Sequence, residues 1–88
     1  MQRQNWDKDQ PIYRHGDTAE SFYFIEQGSI NMFARSGMLF TTYAQGETVG
    51  ESDCFLGELR DCKAVPAEPC VLLIVSMEKC RSVFDKHS

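Results

Sequence analysis

The sequence contains no run of lysine or arginine, and its 88 residues carry a formal net charge of −4. A nucleic-acid surface needs a stripe of positive charge to displace counterions, so direct contact between this segment and DNA or RNA is not expected. Long apolar runs are missing as well. The longest, Val71 to Val75, is far too short to span a bilayer, and the polar N-terminus does not resemble a secretion signal. Together these absences predict a soluble chain of the cytoplasm with no membrane insertion. Histidine is scarce, limited to His15 and His87 near opposite ends, and the four cysteines (Cys54, Cys62, Cys70, Cys80) include no C-x-x-C pair. That spacing offers no metal site. The even count is compatible with two disulfides, but without a secretion signal the thiols are read as reduced and partly buried. No Ser-His-Asp or Cys-His grouping is visible, so the chain is not expected to be an enzyme.

What is present is enough apolar material, 42% of the residues, for one small domain. Met1 to Gln10 place polar and charged side chains around a single Trp6, and read as a flexible lead-in rather than a strand. Residues 11–88 carry the domain. Ile12-Tyr13-Arg14 is β-prone and is followed by turn chemistry at His15-Gly16-Asp17. Phe22 to Glu26 is aromatic and β-branched, and Gln27-Gly28 leads into Ser29 to Ala34, which predicts a hairpin at Gly28 with Ile30, Met32 and Ala34 on one face. Arg35-Ser36-Gly37 turns the chain into Met38 to Ala44, with Leu39, Thr41 and Tyr43 on one face and Phe40 and Thr42 on the other. Gln45-Gly46-Glu47 closes that strand.

Ser52 to Leu59 breaks the pattern. Phe55, Leu56 and Leu59 fit one face of a short helix, with Ser52 or Asp53 placed to cap it. Asp61 to Ala67 and Cys70 to Val75 return to strand character. The second is a continuous apolar run suited to a central, twice-covered position, with Cys70 in the core. A final helix over Met77 to His87, capped by Ser76, buries Cys80, Val83 and Phe84 and leaves Lys79 and Lys86 to solvent. Closely spaced strands with glycine at each corner predict a mostly β fold, an antiparallel β-roll or jelly roll with a short internal helix and a C-terminal helix. His15 reads as a turn residue. Phe22, Tyr23, Phe24, Phe33 and Phe40 read as core and hairpin packing.

Three blocks occur in order: Gly16-Asp17-x-Ala19-x-x-Phe22-Tyr23-x-Ile25-x-x-Gly28-x-Ile30, then Gly46-Glu47-x-Val49-Gly50-Glu51, then Ala64-Val65-x-Ala67-x-x-Cys70-x-Leu72-Leu73. This series resembles the cyclic-nucleotide-binding domain of catabolite-activator-type regulators, cyclic-AMP-dependent kinase regulatory subunits and gated channels. The resemblance implies a phosphate-binding cassette opened by Gly50 and Glu51. Its loop, short helix and one arginine hold the cyclic phosphate, and the glutamate accepts a hydrogen bond from the ribose 2′-hydroxyl. The sites so implied are Val49, Gly50, Glu51, Ser52, Arg60, Asp61 and Cys62, for a ligand that is cyclic AMP or cyclic GMP, with no further cofactor.

The arginine position is where this sequence departs from the pattern. Counting back from Val65 and Ala67 puts Asp61, not Arg60, in the arginine's place, and strand alternation sets Asp61, Lys63 and Val65 on one face against Arg60 and Cys62 on the other. A carboxylate facing the pocket would repel a phosphate. A bulge before Cys62 would instead turn Arg60 inward, with the compact Cys62 letting the phosphate approach. The acids Glu47, Glu51, Asp53, Glu58 and Asp61 outnumber the bases Arg60 and Lys63 around the cassette. Two functions follow. One is a cyclic-nucleotide sensor, probing for cyclic AMP, that signals to effector domains of a larger protein beyond Ser88. The other is a degenerate roll kept as a surface for docking or dimerisation. A metal-dependent enzyme on the similar roll of the cupins is disfavoured by the two distant histidines.

Overall fold

The computed structural model describes residues 2–76, which form seven strands and one helix. In chain order these are β1 (Gln2–Trp6), β2 (Ser21–Gln27), β3 (Ser29–Phe33), β4 (Leu39–Ala44), β5 (Thr48–Val49), α1 (Glu51–Leu56), β6 (Lys63–Pro66) and β7 (Cys70–Ser76). They build a four-stranded sheet of order β1-β7-β2-β5 and a three-stranded sheet of order β4-β3-β6. Every pairing is antiparallel, as the mostly β reading required. The helix predicted over Met77 to His87 lies outside the described residues. Ser76, expected as its cap, ends β7.

The apolar alternation fixes the inner face of each sheet. Ile25, Val49, Cys70 and Leu72 from the larger sheet meet Ile30, Met32 and Ala64 from the smaller in one core, joined by Ile12 and Tyr13. Ile25, Ile30, Ala64 and Leu72 are wholly buried. The strictly alternating burial of β3 and β6 is the signature of a sheet with one covered face. β7 is central in its sheet, as expected. Only Cys70 and Leu72 are fully buried along it, so it is covered on one face rather than two.

Gly28 does not turn a hairpin. β2 pairs with β5 and β7, whereas β3 pairs with β4 and β6, so the chain passes from one sheet to the other at this glycine. A side chain is impossible there. The φ angle is +99°, and a Cβ would stand 2.6 Å from Cys70 Sγ and 2.9 Å from the Pro69 carbonyl oxygen. The β3–β4 turn falls where Arg35-Ser36-Gly37 placed it, closed by Ala34 N–H donating to Met38 O at 2.9 Å and Gly37 N–H to Ala34 O at 2.8 Å.

The supposed lead-in is a strand. β1 lies along β7 from Gln2 opposite Ile74 to Trp6 opposite Cys70, and the Arg3 guanidinium reaches over to both carboxylate oxygens of Glu26, at 2.7 and 2.9 Å. The ladder is made by the backbone, so its four exposed residues carry no apolar pattern to read. Trp6, half-buried against the core, anchors the end.

Candidate functional site

The helix starts one residue earlier than expected and ends sooner. Gly50 is the N-cap in a left-handed conformation (φ 79°, ψ 7°), with no side-chain cap from Ser52 or Asp53. Gly57, also left-handed, stops α1 at Leu56. The apolar face proposed for Phe55, Leu56 and Leu59 points outward among the described residues: they are 52%, 69% and 60% exposed. Cys54 is the residue of α1 that turns inward. The inward side of the helix, at Asp53 and Cys54, meets a charge.

That charge is Arg60, only 2% exposed and among the most deeply buried side chains of the described residues. Its backbone is tied to the first turn: Arg60 N–H donates to Asp17 O, and Gly16 N–H donates to Arg60 O, both at 2.8 Å. Its guanidinium donates through Nη1 to Gly50 O at 2.5 Å and to Asp53 Oδ2 at 3.4 Å, and through Nη2 to Ser21 O and, at 3.8 Å, to Cys54 Sγ. The Tyr13 ring lies 4.2 Å from the guanidinium carbon and stacks in turn on Tyr23. Burial pushes both phenols above their ordinary range, against the opposing pull of the Arg60 charge.

Gly50 is where sequence and site lock together. A Cβ on it would stand 2.5 Å from Arg60 Nη1, so the glycine supplies both the left-handed backbone and the room for the cation. Asp61 does not face the site. It is exposed and pairs with Arg35 on the surface at 3.2 Å. Strand alternation misplaced it because β6 begins only at Lys63, leaving residues 60–62 outside the ladder and free of the two-residue period.

In front of the cassette opens a cavity of about 190 Å³. Of the residues singled out in the sequence, Val49, Gly50, Glu51, Ser52 and Cys62 line it, whereas Arg60 and Asp61 do not. Sequence reasoning missed Tyr13, Met32, Tyr43, Thr48 and Asp53 on its walls, and Phe40, read as packing, is there too. Thr48 and Asp53 were legible by adjacency to the Gly-Glu pair. The others come from distant strands and carried no local signal. Burial raises the Cys62 thiol first of all, helped by the charges of Asp61 and Asp53. His15 is engaged elsewhere, its Nε2 3.3 Å from Phe33 O.

Among the described residues, no three His, Cys, Asp or Glu gather as a metal site, and no helix is long and apolar enough to cross a membrane. The described cysteines Cys62 and Cys70 are free thiols, and Cys70 is 2% exposed in the core. Cys80 lies outside the described residues.

A family profile for the cyclic nucleotide-binding domain matches residues 3–87. The chain belongs to the cyclic nucleotide-binding domain family. A cAMP-dependent protein kinase regulatory subunit from Eremothecium gossypii is 35% identical over 65 residues, which is 74% of this chain and 14% of that protein. The chain therefore spans a small part of its curated relative. Among solved structures, the EAL enzyme Bd1971 in its cAMP-bound form superimposes with a TM-score of 0.81 at 26% identity, covering 88% of this chain and 21% of that one. The Thermus thermophilus catabolite activator protein shares the fold, with a TM-score of 0.84 at 24% identity over 97% of this chain and 42% of that one. This cyclic nucleotide-binding domain thus has the roll of its family, with a buried arginine against Gly50.

Proposed function

We propose that the chain binds cyclic AMP in the cavity before α1 and reports the bound state to other domains of a larger protein, without catalysis of its own. Glu51 receives the ribose 2′-hydroxyl, Val49, Gly50, Ser52 and Cys62 form the wall, and Arg60 supplies the positive charge behind the cassette. Asp61 has no part in this. The observation that carries the reading is the position of the Arg60 guanidinium, with Nη1 2.5 Å from the Gly50 carbonyl oxygen and Asp61 out on the surface. An arginine is the side chain suited to a phosphate, since its donors are fixed in a planar fork. The ligand class extends to cyclic GMP and needs no further cofactor. The setting is the cytoplasm, the partners are effector domains, and neither nucleic-acid contact nor membrane insertion is involved.

A second reading, a roll kept for docking or dimerisation, draws on the exposed Phe55, Leu56 and Leu59. Thermal unfolding with added cyclic AMP separates the two. A ligand of the folded state stabilises it by about 2.7 kcal/mol at one hundred times its Kd. The expected result is a melting temperature that climbs with cyclic AMP, and no shift at millimolar ligand would leave docking as the function.

A further inference from the structure

Arg60 already has an anion. Asp53 Oδ2 lies 3.4 Å from Nη1, the Asp53 side chain is 23% exposed, and Asp53 is among the residues that line the cavity. An arginine has five N–H donors. In this chain Nη1 and Nη2 are committed to Gly50 O, Asp53, Ser21 O and Cys54, and the buried Nε has no hydrogen-bond partner among the described residues. The residues lining the cavity include Glu51 and Asp53 but not Arg60. A cyclic phosphate brings one negative charge, and to reach the guanidinium it must enter beside a carboxylate that already neutralises it.

We propose that Asp53 is an internal counter-ion that stands in for the ligand's phosphate, so that cyclic nucleotide binds only by displacing it from Arg60. This rests on the cavity being the nucleotide site. Asp53 then sets affinity: it satisfies a buried cation when no ligand is bound, and it opposes the anionic part of the ligand through like charge. Gly50 and Glu51 shape the site, and Asp53 sets how much anionic charge it accepts.

Calorimetric titration of cyclic AMP into the full 88-residue chain and into Asp53→Asn and Asp53→Ala tests this. Asn keeps the shape and the polar contact while removing the charge, and circular dichroism confirms that each variant is folded. Both variants are expected to bind cyclic AMP about tenfold more tightly than the unaltered chain, by relief of like-charge repulsion. Binding by the variants alone supports the proposal equally. Unchanged or weaker binding by Asp53→Asn, while the unaltered chain binds, overturns the counter-ion and leaves the nucleotide site standing. A gain confined to Asp53→Ala also overturns it, because the effect would then be one of space. Absence of binding in all three proteins defeats both the counter-ion and the nucleotide site.

Discussion

The roll and the cassette are held by opposite chemistry. Between the sheets, Ile25, Ile30, Ala64 and Leu72 are wholly buried, and the interior is apolar and self-consistent. Behind the cassette, the largest buried side chain among the described residues is that of Arg60, and the apolar residues Phe55, Leu56 and Leu59 are exposed. The roll therefore loses stability in proportion to buried area. The cassette depends on whether a few carbonyls and one carboxylate hold a charge in place. The contrast places robustness in the scaffold and sensitivity to charge in the site.

The sharpest way to break this comparison is one substitution on each side. Leu72→Ala should cost about 2–5 kcal/mol through the cavity it leaves, while the folded fraction keeps its affinity for cyclic AMP. Gly50→Ala should cost only about 1–2 kcal/mol for the left-handed backbone, yet weaken cyclic AMP binding severely because the new methyl displaces Arg60. Denaturant midpoints alongside ligand titrations check both. Equal loss of stability and affinity in the two variants would erase the distinction.

A smaller effect comes with alkali. Burial raises the thiols of Cys62 and Cys70 above their ordinary 9.0 and the phenols of Tyr13 and Tyr23 above their ordinary 10.0. The unfolded chain sheds these protons first, so the stability they carry is intact below about pH 9, declines above it and declines faster beyond about pH 10. Urea unfolding at neutral and alkaline pH should show this, with Tyr13→Phe flattening the upper limb. The smallest effect belongs to Asp61→Ala, which removes an exposed ion pair with Arg35. It should change stability by less than about 0.5 kcal/mol and leave cyclic AMP affinity as it was. A gain in affinity there would return Asp61 to the pocket.

The parts of the molecule legible in the sequence are those governed by period and turn chemistry. Ile30 and Met32 alternate inward along β3, Gly37 and Gly46 close turns, and a short helix follows Gly50. Misreadings occur where a local rule lacked the information it needed. The two-residue period was carried back past the start of β6 to Asp61, although the direction of Arg60 is set by backbone bonds to Gly16 and Asp17, far away in sequence. Helical spacing grouped Phe55, Leu56 and Leu59, but Gly57 ends the helix before Leu59 is reached. The passage between sheets at Gly28 looks like a hairpin until the partners of β2 and β3 are known. Asp53, read as a candidate cap and as one of the acids crowding this loop, takes on a specific partner once Arg60 is found beneath it.

The strand formed by Gln2 to Trp6 has one last implication. Without it, β7 would be the rim of its sheet, and the run Val71 to Val75 would offer an open row of amides and carbonyls to any neighbouring chain. Glutamine, arginine and asparagine at that rim give a stranger little apolar surface to grip. A segment that does not line the cavity thus covers the edge beside the chain's longest apolar run, and trimming the first six residues is expected to promote self-association, read as a larger species on size-exclusion chromatography.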